Sequence, residues 1–272
     1  MFRPGVAFPE SGRRSGENGQ VRAYDLRLAA TGLTAGVAVV TLLSACAPGA
    51  PAGATPASSP PPSAAADPRG ELAARAAAAK DRRYVVGYTF SQPNEPLRSV
   101  LVTIATDGTW RVDIQGGALG GAADVSIASR PEGLYQCTLN ASAICVKVAG
   151  PGRKLPAAVD PRAQYPFTTW LDVFVDRQVP LSVLPAAPQQ GESGTCFSVD
   201  PAVTAIAPPI DAGVFCFAAD GTPTAARLPW GTLVMAGQPS PAPPTVVLPG
   251  PVSEGSPLPT SPPPPPSPSP SQ

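Results

Sequence analysis

The chain has 272 residues, with 19 Lys+Arg, 19 Asp+Glu and no histidine, so its formal net charge is zero. Balanced charge without a basic, aromatic-interleaved patch argues against a nucleic-acid partner. The absence of histidine excludes Ser-His-Asp and Cys-His catalysis and any imidazole metal site, so the expectation is a non-enzymatic protein without cofactor or metal.

Residues 1–27 are polar and carry Arg3, Arg13, Arg14, Arg22 and Arg27. An uncharged run then extends from Leu28 to Ala45 and ends at Cys46. A basic lead-in, an apolar core and small residues before the end describe a secretory signal over residues 1–45. Leu43-Ser44-Ala45-Cys46 is similar to the lipobox of bacterial lipoproteins. That resemblance implies cleavage before Cys46, a diacylglycerol on its sulfur with further acylation of the palmitate type, and a domain tethered on the outer face of the cell membrane. The Ala-, Gly-, Pro- and Arg-rich composition suggests a GC-rich genome, of actinobacterial type, where GTG often serves as a start codon. A start at Val21 leaves a short n-region containing Arg22 and Arg27. A twin-arginine signal on Arg13-Arg14 is the weaker reading, because Glu17 and Asp25 lie between that pair and the apolar run. An uncleaved span is also weaker, because the run is short and contains Gly and Thr.

Residues 46–66 are Ala, Pro, Gly, Ser and Thr after the cysteine, too poor in apolar side chains to offset the entropy of ordering, and predict a mobile stalk. Residues 238–272 are similarly Pro-rich and predict a disordered tail, an extended spacer of polyproline type. The folded domain is therefore expected over 67–237, about 170 residues, enough for one core.

Asp67-Pro68 reads as an N-cap followed by Pro at the first helical position, and Glu71, Lys80, Arg82 and Arg83 suit the dipole of a helix from Pro68 to Arg82. Strand signals follow: Tyr84–Phe90, Leu97–Ala105, a strand with Trp110, Val112 and Ile114 on one face, Asp124–Ala128, Leu134–Leu139 and Ile144–Val148. Asp107-Gly108 marks a hairpin, and the loop Gly116–Gly121 is too glycine-rich to be regular. After a Pro-rich connection, Phe167, Trp170, Leu171 and Phe174 fall at i, i+3, i+4 and i+7, the spacing of an apolar helix face. A loop over Pro185–Gly194 precedes strands at Thr195–Val199, Val214–Ala218 and Thr224–Ala236, with a hairpin at Asp220-Gly221.

Beyond Cys46, four cysteines remain: Cys137, Cys145, Cys196 and Cys216. In an exported protein they predict two disulfides with three possible connectivities. Pairing Cys137 with Cys145 sets Tyr135 opposite Lys147 and centres the turn on Ala141, which favours that bond.

A helix, an antiparallel meander, an apolar helix and further strands predict an α+β domain in which a curved antiparallel sheet, a half-open barrel, is closed by one or two helices. Three stretches carry a resemblance to the LolA-like lipoproteins, which include LolA, LolB, LppX and LprG. They are Asp107-Gly108-Thr109-Trp110-Arg111-Val112-Asp113, Pro131-Glu132-Gly133-Leu134-Tyr135 and Gly213–Gly221 with Thr224–Arg227. The resemblance implies a cavity between sheet and helix that holds a lipid or another apolar envelope molecule. Its candidate ligand-binding residues here are Trp110, Val112, Phe167, Trp170, Leu171 and Phe174; the competing reading is that these side chains fill a dry core. The runner-up function is a protein-interaction or envelope-sensing module of the RseB kind, without lipid cargo.

Other candidates are weaker. Asn140-Ala141-Ser142 fits a hairpin turn better than a glycosylation site. The glycine-rich loop lacks the Lys and Ser/Thr of a phosphate loop. Asp107 and Asp113 suit turn and exposed-face roles, and Asp200, Asp211 and Asp220 lack calcium-loop spacing.

Overall fold

The computed structural model describes residues 67–202 and 208–262. The expected signal (1–45), the lipid-bearing Cys46 and the stalk (46–66) lie outside the described residues. Among those described, no helix is long and apolar enough to cross a membrane.

Helix α1 spans Pro68–Asp81. Its buried residues Leu72, Ala76 and Ala79 recur at i, i+4 and i+7, so a stripe of small side chains faces inward. Six strands follow as a meander: β1 (Tyr84–Ser91), β2 (Arg98–Ile104), β3 (Trp110–Ala118), β4 (Ala123–Arg130), β5 (Gly133–Thr138) and β6 (Cys145–Ala149). A connection carries a 3-10 turn at Tyr165–Phe167 and helix α2 (Thr169–Val175). A second meander comprises β7 (Leu181–Ala186), β8 (Thr195–Pro201), β9 (Gly213–Phe217), β10 (Pro223–Leu228) and β11 (Gly231–Met235).

Pairing of β1 with β11 joins the two meanders into one antiparallel sheet of eleven strands, in the order β6-β5-β4-β3-β2-β1-β11-β10-β9-β8-β7. The sheet is curved and unclosed, as the α+β expectation required. Because β6 and β7 stand at opposite ends of that order, the chain between them must travel the full width of the sheet. It does so over the core-facing side and carries α2 with it.

Alternation decides the inner face. On β1, Tyr84, Val86, Tyr88 and Phe90 are buried while Thr89 is exposed. Val112 and Ile114 of β3 sit opposite Ile127 and Val125 of β4, all buried. Phe174 of α2 packs edge-on against Phe215 and Phe217, with ring centroids 4.8 and 6.5 Å apart. Phe167 lies 4.5 Å from the ring of Tyr88, whose hydroxyl donates to the Pro223 carbonyl at 2.7 Å. Each such burial contributes about 1.5–3 kcal/mol. At the other end of α2, Arg69 donates to the carbonyls of Phe174 and Asp176, both at 2.6 Å, which satisfies helix C-terminal acceptors.

Two disulfides, Cys137–Cys145 and Cys196–Cys216, each join directly opposed residues of neighbouring strands. Tyr135 faces Lys147, in the register expected.

Several expectations need correction. The stretch Gly116–Gly121 is not all loop: β3 runs on to Ala118 through a register shift, and a 3-10 turn follows at Leu119–Gly121. Glycine fits such an irregularity, because Gly116 and Gly121 both take positive φ. Pro185 is not in a loop but in β7, opposite Phe197; an edge strand tolerates a residue without an N–H. The helix expected from Phe167 begins at Thr169. Thr224–Ala236 divides into β10 and β11 around Pro229-Trp230.

The largest correction concerns residues 238–272. Residues 263–272 lie outside the described residues, but 238–262 are bound to the domain and are not a free spacer. Ser240 pairs with Val85 through both backbone bonds, at 2.8 and 3.0 Å. Thr106 N and Asp107 N donate to the carbonyls of Pro243 and Pro244, at 2.9 and 3.1 Å. Val246 is buried, and Leu248 packs on Tyr135, Cys137 and Cys145 on the outer face of the sheet. Val252 then bridges to Cys145 at the β6 edge, and Leu258 and Thr260 bond to Gln136 and Ala158. The strap thus covers an edge strand that would otherwise offer unpaired backbone groups. Composition hides this because proline lacks a donor yet keeps its carbonyl, and it is largely carbonyls of the tail that the domain uses.

Candidate functional site

The helix-bearing connection leaves space beside it. A cavity of about 760 Å3 lies where α2, the β4–β5 turn, the loop Gly150–Leu155 and the segment Pro208–Asp211 converge. That volume falls within the range of ordinary small-molecule sites, roughly 300–1,000 Å3. Trp110, Leu134, Leu155, Trp170, Val173 and Ile210 supply its apolar wall. Trp170 is held by an edge-on contact with Phe215 at 5.8 Å and by stacking on Tyr165 at 5.7 Å. Gly133 closes the β4–β5 turn at φ 139°, where an added Cβ would strike the Ala149 carbonyl oxygen at 2.2 Å.

Of the six side chains expected to bind ligand, two reach this wall: Trp110, half-buried, and Trp170. Val112, Phe167, Leu171 and Phe174 are buried in the main core and do not line it. Helical spacing marks a buried face but not which part of that face is left uncovered, so Phe167, Leu171 and Phe174 could not be separated from Trp170 by pattern. The wall residues from Gly150 to Tyr165 carried no periodic signal, since they belong to an irregular connection.

A second cavity, about 530 Å3, lies toward the other ends of β1–β3 and includes Phe90, Ile114, Asp160 and Trp230. Arg162 lines both cavities. The segment from Asp160 to Tyr165 therefore separates them, and it is pinned by polar contacts. Asp160 accepts from Arg162 N at 3.0 Å, from Gln164 Nε2 at 2.8 Å and from the Tyr165 hydroxyl. Burial, then the bond to Asp160, pushes the Tyr165 phenol well above its ordinary pKa, so it stays a neutral donor. Arg162 pairs with Asp211, which also accepts from Trp230 Nε1 at 2.9 Å. Because the Asp160 carboxylate can only accept, the Gln164 amide is oriented with Nε2 toward it. Its Oε1 is left buried without a partner among the described residues.

The rim of the larger cavity is cationic. Arg130, Arg153, Lys154 and Arg162 line it, against the carboxylates of Asp172 and Asp211. Asp172 is neutralised by Lys80 at 2.5 Å and Asp211 by Arg162. Arg130 pairs with Glu132 at 3.6 Å. Arg153 and Lys154 are exposed and enter no ion pair among the described residues.

The sequence matches no family model and no curated protein.

Carboxylate chemistry finds little support in the cavity. Asp107 accepts from the Thr109 backbone N at 2.9 Å and from its hydroxyl at 2.6 Å, bonds that hold its carboxyl below the usual range in a tight turn. Asp113 pairs with Arg111 at 3.0 Å. Neither reaches the cavity wall. Glu192, Cys196 and Cys216 come close enough to suggest a metal site, but both sulfurs are consumed in one disulfide and offer no thiolate.

Proposed function

We propose that the protein is a membrane-anchored, extracytoplasmic lipoprotein of LolA-like type that binds a lipid or another apolar envelope molecule and catalyses no reaction. The observation that carries this reading is the apolar cavity of about 760 Å3 between sheet and α2, walled by Trp110, Trp170, Val173 and Ile210. Its location fits the fold-level expectation of a ligand held between a curved sheet and its covering helix. The lipobox-like Leu43-Ser44-Ala45-Cys46 supplies the tether, through an acylated Cys46 on the outer face of the membrane.

The test is native mass spectrometry with lipid extraction on residues 47–272, exported behind a cleavable signal so that no covalent lipid contributes. A stoichiometric non-covalent acyl-chain or other apolar ligand is expected. A domain that emerges empty, and takes up no offered amphiphile, would remove lipid binding as its role.

One observation favours the second reading, a protein-interaction module. Strand β7 ends the sheet order, and its Leu184 is 62 % exposed. An edge strand that no further strand pairs among the described residues, with an exposed apolar side chain, is suited to accept an added strand. An empty domain in the mass spectrum would direct the search for a partner to that edge.

A further inference from the structure

We infer that the ligand of the larger cavity is a single-chain amphiphile with an anionic head, its alkyl chain against the tryptophan wall and its head at Arg153 and Lys154. The inference rests on the reading of that cavity as a lipid site and adds the chemistry of the head.

Six charged side chains line the cavity, four cationic and two anionic. Both carboxylates already have cationic partners within the protein, Asp172 with Lys80 and Asp211 with Arg162. Arg130 is shared with Glu132. What remains is the pair Arg153 and Lys154, adjacent in sequence, exposed and without a carboxylate partner among the described residues. A neutral or cationic head would leave that excess charge uncompensated, and an anionic head would balance it.

The loop that carries them is built to hold them at the rim. Arg153 N donates to the Gly150 carbonyl at 3.2 Å, which closes a tight turn. Gly152 sits at φ 68° within it, a left-handed conformation that a side chain would strain. Immediately after the two cations, Leu155 is buried in the main core and anchors the loop. The same cavity therefore joins a cationic rim carried on an anchored loop to an apolar wall containing Trp110 and Trp170. An inorganic anion would use the rim and leave that wall wet, whereas a neutral lipid would use the wall and leave the rim unpaired. An anionic amphiphile uses both.

The test is calorimetric titration of residues 47–272 with oleate, 1-oleoyl-lysophosphatidate, monooleoylglycerol and inorganic phosphate, repeated on the Arg153→Gln/Lys154→Gln double variant. Both substitutions are on exposed side chains, so folding should survive; circular dichroism checks it. The anionic oleoyl compounds are expected to bind about tenfold or more tightly than monooleoylglycerol, with that preference shrinking in the double variant and at high salt. Equal binding of anionic and neutral chains, unchanged in the double variant, would overturn the anionic head while leaving the lipid site standing. Phosphate binding as tight as the oleoyl anions would overturn the amphiphile in favour of a plain anion site. If no oleoyl compound binds at all, the lipid reading of the cavity itself falls.

Discussion

The side-chain amide of Gln136 holds both backbone groups of Leu258: Leu258 N donates to Oε1 at 2.6 Å, and Nε2 donates to the Leu258 carbonyl at 2.9 Å. A β5 side chain thus acts as a strand partner for the C-terminal strap. Since Gln136 is only 4 % exposed, removing the amide leaves its partners unpaired away from water. Gln136→Leu should cost about 1–3 kcal/mol. Hydrogen exchange read by mass spectrometry should show faster exchange over 250–262, with β1–β3 still protected. Unchanged protection of the strap would contradict its attachment at this point.

Core and cavity wall should respond differently to truncation. Phe174 is fully buried against Phe215 and Phe217, so Phe174→Ala should destabilise by about 3–5 kcal/mol. Trp110 is half-buried on the wall of an existing cavity, so Trp110→Ala should cost about half as much or less, yet weaken binding of an oleoyl chain. Urea denaturation and calorimetry of both variants separate the two roles. Equal destabilisation would mean that Trp110 is core.

Glu192 and Arg227 form an ion pair at 3.0 Å, with side chains 2 % and 19 % exposed, and Glu192 also accepts from Gln189 N at 2.7 Å. Breaking such a pair strands one charge. Glu192→Leu should therefore cost about 3–5 kcal/mol, while the double variant Glu192→Leu/Arg227→Met should recover much of that loss. A double-mutant cycle measured by chemical denaturation reads the coupling. Simple additivity of the two single losses would show that the pair is not coupled.

Acid should weaken the fold through aspartates placed in turns and caps. Asp107 is held below its ordinary pKa by its bonds to Thr109, and Asp220 by the backbone bond from Thr222, with Arg82 adding to it. Asp67 is shifted the same way, mainly by the nearby backbone N–H of Gly70, with Arg177 adding to it. A depressed folded-state pKa means that the stabilisation is complete above the unfolded value, near 3.8. It is lost as pH falls below that value and through the folded pKa. Melting temperatures from pH 5 to pH 2.5 should fall more steeply for the wild type than for the Asp107→Asn/Asp220→Asn variant. Parallel curves would remove these two groups from the acid transition.

Much of the domain was legible because its signals are local. Alternation along Trp110–Ile114 set the inner face of β3, and the same period of two put Cys137 opposite Cys145 and Tyr135 opposite Lys147. Asp67-Pro68 announced α1 to within a residue at its far end. Signals that depend on a neighbour were not legible. Pro185 reads as a loop residue until β7 is known to lie at the edge of the sheet.

Residue type and spacing therefore determined the strand and helix faces, one disulfide register, the exclusion of histidine chemistry and the lipobox-like Cys46. Tertiary structure alone decided three things. The β1–β11 pairing united two meanders, which sent α2 across the sheet. The unequal reach of that crossing left Trp110 and Trp170 beside a cavity while Phe174, on the same apolar helix as Trp170, was sealed in the core. And the Pro-rich strap, too poor in apolar side chains to order itself, was ordered by backbone carbonyls that found donors on the domain. The physical reason is common to all three: periodicity reports which side of an element is buried, whereas what covers it depends on contacts between residues far apart in the chain.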